Sequence, residues 1–270
     1  MTSKPRKFAR IEFAMYGPTD LSDPDQLNAV LEAMESMPQF APDAVSRDER
    51  KREEYERKQA VERFSGHQLS TNNWNIYRRR AVKYAAMVKA NRGPGIHIEF
   101  DPKMAAKHYP ALFDWANAIV ATFKPDYAVI TMLHEYDDSR PYTSLLEENL
   151  EPFLYSSVSR PSPYYNIGPS GLGHMTWLSE HYLKQLGDDY LIATPNVSIE
   201  KQAWGGSSIT MGTNASPWSL SPAELVENWR PAMEHLWKKG IFKEQYIDEN
   251  DAIRVRAGVN RIEARKITAW

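Results

Sequence analysis

The sequence predicts an α+β protein in which a mostly antiparallel sheet packs against helices as a two-layer sandwich. Short stretches that alternate between apolar and polar residues, the pattern of half-buried strands, are separated by apolar stripes at helical spacing. Strands joined by turns are mixed with single helices that cross between strands, which favours an antiparallel sheet. The 270 residues suffice for one large core, and we expect a single domain over residues 1–270.

The first predicted elements are a strand and a helix. Residues 7–16 alternate and predict a half-buried strand that carries Glu12 on its exposed face. Asp23 followed by Pro24 is typical of a helix start, because the aspartate caps the free amides and proline fits the first helical position. We expect this helix to end before Pro38.

The segment 41–72 is dense in charged residues. Pairs with the acid four residues before the base, such as Glu53 with Arg57, support a solvent-exposed helix over residues 46–64. We therefore expect 41–72 to be a charged helical excursion from the main body.

The middle of the chain predicts a hairpin, a helix and a strand. Residues 74–90 also carry a helical stripe, but their Trp, Tyr and Val content favours a strand, which would pair with 96–100. Residues 109–123 have the clearest helical stripe of the chain, and 127–133 predict a strand.

The last part of the chain predicts a loop at 151–173 and a helix at 175–186. Three strands follow, at 190–194, 197–202 and 207–212, and a final helix begins at Ser221. Gly187 would end the first helix as a left-handed cap. Ser221 and Glu224 form a capping box for the second, which Pro231 should kink or split. Little structure is predicted for residues 251–270.

Composition excludes several classes of protein. The absence of Cys excludes disulfides and thiol catalysis. No apolar run approaches the length of a membrane span, and the first residues lack the pattern of a signal peptide, so we expect a cytoplasmic protein without a membrane partner. Residues 101–200 carry 6 basic and 13 acidic side chains. This acidic middle argues against a nucleic-acid partner and favours docking onto a basic protein.

One pattern suggests metal chemistry. His97, Glu99 and Asp101 would share one face of a strand, and His134 ends another. Two histidines and a carboxylate can hold a catalytic metal, so a metal-dependent hydrolase that uses His97, Glu99 and His134 is an alternative function. The spacing matches no known metal motif, and polar residues on the outer face of a sheet explain the same pattern.

Other possible sites are weaker. The glycines between Gly168 and Gly173 precede a predicted helix and could hold an anion, but the segment lacks the dinucleotide and phosphate-loop motifs. His174 and His181 would share a helix face, where a structural role is the usual one. The sequence thus offers no catalytic residue, no cofactor-binding residue and no metal ligand, and we expect a protein that is not an enzyme.

The segment from Glu135 to Glu151 is the clearest feature that the predicted core does not explain. It holds six acidic residues and one basic residue among tyrosines and leucines. Mixed acidic and aromatic surface can form a specific site for a basic protein, although a solubilising loop would have the same composition. The predicted partner-binding residues are Glu135, Asp137, Asp138, Tyr142, Glu147 and Glu148.

The stretch from Gly171 to Pro195 resembles the end of the immunity protein 52 family, in which a glycine-rich turn leads into an aromatic-Leu-Ser core and a short apolar strand. The matching residues are Gly173, Trp177, Leu178, Ser179, Tyr182, Leu186 and Ile192-Ala193-Thr194-Pro195. The strand at 8–17 and the helix after it lie where that family also begins. The charged segment 41–72 is longer than the family leads us to expect.

This resemblance implies an antitoxin of a bacterial polymorphic toxin or type VI secretion system, with no active site. Such a protein binds a cognate toxin, typically a nuclease of the restriction-endonuclease-like class that an adjacent gene encodes. Because a nuclease cleft must attract phosphate, an acidic inhibitor can imitate the substrate's charge. A phage or secretion-apparatus structural protein is a further alternative, and it should form large homo-oligomers.

Overall fold

The computed structural model describes residues 8–47, 51–66, 73–90, 94–134, 169, 171–212, 217–242, 244–247 and 253–256. The strands are β1 (Arg10–Tyr16), β2 (Ala44–Ser46), β3 (Glu53–Glu54), β4 (Asn73–Arg78), β5 (Tyr84–Lys89), β6 (Gly95–Phe100), β7 (Tyr127–Leu133), β8 (Met175–Leu178), β9 (Val197–Lys201), β10 (Ser207–Met211), β11 (Glu244–Ile247) and β12 (Ile253–Arg256). The α-helices are α1 (Pro24–Glu35), α2 (Arg57–Phe64), α3 (Tyr109–Phe123), α4 (Glu180–Leu186), α5 (Asp188–Ile192) and α6 (Pro222–Trp237).

Ten strands form one open sheet in the order β3-β2-β4-β5-β6-β1-β7-β8-β10-β9. Every neighbouring pair in it is antiparallel. The strands β11 and β12 pair separately as a two-stranded sheet. The predicted α+β class, with an antiparallel sheet packed against helices, is therefore confirmed.

Strand β1 lies in the middle of the sheet, between β6 and β7. Its residues Ile11, Phe13 and Met15 belong to a core formed with α1 and α3, whereas Ala14 and Tyr16 belong to a second core formed with α4, α5 and α6. Because alternate residues of a strand face opposite sides, helices cover both faces here. The prediction that β1 is half-buried is therefore wrong, and Glu12 is only 1% exposed.

Local signals set the bounds of α1 and α3 as the sequence predicts. Oδ1 of Asp23 accepts hydrogen bonds from the first free amides of α1, at Asp25 and Gln26. Helix α3 ends at Lys124, which is left-handed with φ 49°, immediately before a proline. The two helices are joined in the core, where Nε1 of Trp115 donates to a backbone carbonyl of α1 at 2.9 Å.

The prediction of one exposed helix over 46–64 is wrong. Strands β2 and β3 extend the edge of the sheet, and α2 is only eight residues long. Phe64 stacks on Trp74 with ring centroids 4.3 Å apart, which fixes α2 to the core. Glu53 then pairs with Arg63 rather than with Arg57, whose ion pairs are made with α1.

Residues 74–90 form two strands rather than one. Ala81, with φ 48°, lies in the turn between β4 and β5, and β5 pairs with β6 as an antiparallel hairpin. The strand interpretation of this segment, and its pairing with 96–100, are thus confirmed.

Two C-terminal predictions are wrong. Met175–Leu178 is a strand, because these four buried residues fill the gap between β7 and β10, and the helix begins only after Ser179. Residues 188–192 are helical, with Leu191 buried against the second core.

The other C-terminal elements agree better with the sequence. The hairpin of β9 and β10 is confirmed, as is the capping box of Ser221 and Glu224. Helix α6 continues through Pro231 as one element instead of splitting, and it buries its apolar stripe in the second core. Within 251–270, where little was expected, the structure contains β12.

Candidate functional site

The six predicted partner-binding residues all lie outside the described residues, namely Glu135, Asp137, Asp138, Tyr142, Glu147 and Glu148. The structure does describe the two places where their segment joins the sheet. The chain leaves at Leu133 and His134, after β7, and it returns at Gly171, before β8. The chain is thus held to the sheet on both sides of residues 135–170, by β7 before them and by the residues that lead into β8 after them.

Residues 171–174, which we term the clasp, fasten the returning chain to the end of β7. The backbone N–H of His174 donates to the carbonyl of Ile130 at 2.7 Å. The N–H of Met132 donates to Nδ1 of the same histidine at 3.2 Å. On the other side, the N–H of Met211 in β10 donates to the carbonyl of His174 at 3.0 Å. One residue thus joins the ends of two strands.

Gly173 of the clasp lies against the backbone of β7. A Cβ on Gly173 would lie 2.3 Å from the carbonyl oxygen of Ile130 and 2.4 Å from a methyl group of Val129, so only glycine fits. Its carbonyl accepts a hydrogen bond from Nε1 of Trp229 at 3.3 Å, and that of Gly171 accepts one from the Tyr127 hydroxyl at 2.9 Å. The clasp is therefore built into the second core.

His174 is a structural histidine and is fully buried. Its ring meets the rings of Phe8 and Trp229 edge-on, with centroids 6.0 and 5.7 Å away. Burial lowers the pKa of His174 from 6.5 to about 3, and the nearby His134 adds to that effect. The ring is neutral near pH 7, and because Nδ1 accepts the Met132 amide, its proton is on Nε2.

The predicted helix face shared by His174 and His181 does not exist. His174 precedes a strand, whereas His181 lies on α4 and is exposed. The glycine turn also leads into β8 and not into a helix, so the interpretation of this turn as an anion site at a helix start is wrong.

A second cluster of charged residues lies where β1 meets β6. Arg10 contacts two carboxylates, with Nη1 3.3 Å from Oε1 of Glu12 and Nε 3.4 Å from Oε1 of Glu99. Nε2 of His97 lies 3.7 Å from the other oxygen of Glu12. The strand register explains this grouping, because Glu12 is the direct neighbour of Glu99. Buried Glu12 thus has a cationic neighbour that offsets the cost of removing its charge from water.

The structure therefore brings His97 and Glu99 together with a carboxylate that the sequence assigned to an exposed face. The only indication in the sequence that Glu12 has a special environment is that it is a single acidic residue inside a largely apolar strand. Only the central place of β1 in the sheet shows that this acid is buried.

His134 lies elsewhere, with its ring centroid 5.1 Å from that of Phe8. His97 is on β6 and His134 follows β7, and β1 separates these strands, whose axes are therefore about 10 Å apart. The residue of β7 that is level with His97 is Val129, so His134 also lies well beyond it along the strand direction. Within the described part of the chain, no group of three His, Asp or Glu side chains is arranged to hold a metal ion. The predicted ligand set of His97, Glu99 and His134 is therefore not assembled.

None of the helices that the structure describes is both long enough and apolar enough to span a membrane.

Comparisons with known proteins show a similarity of fold but no family. No protein-family model matches the chain, and no curated protein matches it. Among solved structures, the fold is similar to that of the Pseudomonas aeruginosa T6SS protein PA0821, with a TM-score of 0.49 and 11% sequence identity. The similarity covers 85% of this chain and 83% of that chain. The chain thus has a structural resemblance to a protein associated with type VI secretion, which assigns it to no family.

Proposed function

We propose that this chain is a non-catalytic immunity protein that binds and neutralises a cognate secreted toxin, a nuclease-type effector encoded by an adjacent gene. The resemblance of residues 171–195 to the immunity protein 52 family motivates this proposal. The observation that carries it is the attachment of the acidic segment. The stretch 135–170, which contains that segment, lies between β7 and the clasp, and the hydrogen bonds of His174 fasten the clasp to β7.

A connection between two elements of the core favours a binding role for residues 135–151. Binding residues are commonly carried on connecting segments that a rigid scaffold positions. Six acidic residues against one basic residue match the positive cleft that a nuclease needs for its substrate. Tyr142 would supply an aromatic anchor of the kind that dominates binding energy.

The charged cluster of β1 and β6 also supports a structural role for the residues that suggested an enzyme. Glu12 is engaged by both Arg10 and His97, and Arg10 also holds Glu99. Such mutual pairing offsets the cost of burying a carboxylate in the middle of the sheet.

The direct test is co-expression with the product of the neighbouring gene. We expect the two proteins to co-purify as a one-to-one complex by light scattering, and we expect this chain to protect cells from that toxin. If neither gene beside it encodes a protein that it binds, the proposal is wrong.

A second experiment tests the absence of catalysis. The purified chain should cleave neither DNA, RNA nor small phosphodiesters, with or without added divalent cations. A phosphodiesterase activity that persists through purification and is lost in a His97→Ala variant would show that the chain is an enzyme.

A further inference from the structure

Three polar side chains, those of Glu12, His97 and Thr131, lie close together on one face of the sheet. The register places Glu12 of β1 directly between Glu99 of β6 and Thr131 of β7. Directly paired residues share a face, with Cβ atoms about 5 Å apart, and His97 lies two residues before Glu99 and therefore on the same face. Glu12 and Thr131 are each only 1% exposed, so both side chains are removed from bulk solvent.

Two polar atoms of this cluster are buried and have no hydrogen-bond partner in the part of the chain that the structure describes. They are Nε2 of His97 and Oγ1 of Thr131. Nε2 lies 3.7 Å from Oε2 of Glu12, which is too long for a direct hydrogen bond, and at such a separation a water molecule can join two polar groups. Because an unpaired polar group is costly inside a protein, both atoms indicate a further bonding partner.

His97 and Thr131 approach Glu12 from opposite sides, because they lie on the two strands that flank β1. The axes of those two strands are about 10 Å apart, so the two side chains are not direct neighbours. The carboxylate of Glu12 is therefore the group at which a partner can reach both.

The charges around the cluster select water as that partner. Glu12 and Glu99 would repel an anion. A cation is already present, because the guanidinium of Arg10 contacts both carboxylates. Water is neutral, and it can donate to a carboxylate while it accepts from a hydroxyl or a ring N–H.

We propose that Glu12 is hydrated inside the sheet: ordered water joins its carboxylate to Nε2 of His97 on one side and to Oγ1 of Thr131 on the other. Buried water usually makes about three hydrogen bonds to groups that would otherwise be unpaired, and a carboxylate has several acceptor positions for it. Together with Arg10, this water stabilises the ionised form of Glu12 between the two cores. The site goes beyond the proposed binding of a toxin.

Thr131→Val tests the proposal through the sign of the stability change. Valine has nearly the shape of threonine but carries a methyl group in place of the hydroxyl. If the hydroxyl is bonded to Glu12 through water, the variant loses those bonds, and the equilibrium constant for unfolding should rise about 3- to 30-fold. If the hydroxyl is dry and unpaired, the variant removes a costly group and the constant should fall.

Thr176→Val is the matched control. Thr176 is fully buried on β8, and its Oγ1 accepts a hydrogen bond from the N–H of Gly173 at 2.9 Å. The unfolding constant should rise in this variant because a direct bond is lost, and urea unfolding of both variants gives the comparison. An unchanged or lower constant in Thr131→Val, beside a rise in Thr176→Val, would overturn the proposal.

A crystal structure of the wild-type chain, at a resolution that shows ordered water, distinguishes hydration from a direct bond. We expect water within about 2.6–3.2 Å of the Glu12 carboxylate, and water at the same distance from Nε2 of His97 and from Oγ1 of Thr131. A direct bond from either side chain to Glu12, with no water between them, would contradict the proposal. Both experiments use the chain alone, so failure of the toxin proposal leaves them unaffected.

Discussion

The backbone N–H of Met132 donates a hydrogen bond to Nδ1 of His174, so a side chain that precedes β8 completes the end of β7. This bond requires an unprotonated Nδ1. The fastening of the clasp to β7 therefore depends on a neutral histidine.

This dependence predicts how stability changes with pH. The pKa of His174 is lowered from 6.5 to about 3 in the folded chain, so below pH 6.5 the unfolded chain takes up a proton that the folded chain does not. The contribution of His174 is fully present above pH 6.5 and is lost between about pH 6.5 and 3. The slope should approach about 1.4 kcal/mol of unfolding free energy per pH unit.

Urea unfolding at a series of pH values measures that slope. In His174→Gln the slope of unfolding free energy against pH should be smaller, by up to the amount that one titrating proton contributes. This holds whatever the absolute stability of the variant. Equal slopes in the wild type and in His174→Gln would contradict the buried neutral histidine.

The two cores should unfold together, because β1 contributes side chains to both. Ile11 belongs to the first core and Leu178 to the second, and both are fully buried. We expect Ile11→Ala and Leu178→Ala each to lower the unfolding free energy by about 2–5 kcal/mol within a single transition. Ile192→Ala removes the same atoms from an exposed site and should cost far less. Two separate melting transitions in the intact chain would argue against one cooperative core.

Arg10 should stabilise the chain more than an exposed arginine does, because it contacts the buried carboxylate of Glu12. Arg10→Met should lower the unfolding free energy by about 1–3 kcal/mol, since a buried charge then loses a cationic partner. Arg63→Met breaks the exposed ion pair with Glu53 and should cost less than about 1 kcal/mol. Chemical denaturation of both variants gives the comparison, and equal losses would mean that Arg10 does not offset the buried charge.

Charge reversal in the acidic segment should slow binding to the toxin. Because complementary charge mainly accelerates encounter, Asp137→Lys with Asp138→Lys should lower the association rate and weaken its dependence on salt. Tyr142→Ala should instead raise the dissociation rate, since buried aromatic anchors slow release. Surface plasmon resonance at several salt concentrations separates the two effects.

A second pair of neighbouring aspartates provides a control for this experiment. Asp188→Lys with Asp189→Lys makes the same charge change at the start of α5 and should leave both rates unchanged. If the variants of the acidic segment bind and protect cells like the wild type, that segment is only a solvated loop.

The sequence by itself determined the elements whose signals are local. Asp23 and Pro24 define the start of α1, and the apolar stripe at 109–123 followed by Pro125 gives both ends of α3. The capping box of Ser221 works in the same way for α6. In each case, neighbouring residues satisfy the free backbone groups of a helix end, and no distant contact is required.

Tertiary structure decided the elements whose residues suit either conformation. The apolar run Met175–Leu178 could extend a helix or form a buried strand, and the gap between β7 and β10 made it a strand. Glu12 followed the pattern of an exposed residue, yet two flanking strands and helices on both faces buried it beside Arg10. The same pairing brought His97 to Glu12 and kept His134 two strands away, because a sheet assembles residues by strand order and register and not by their spacing along the chain.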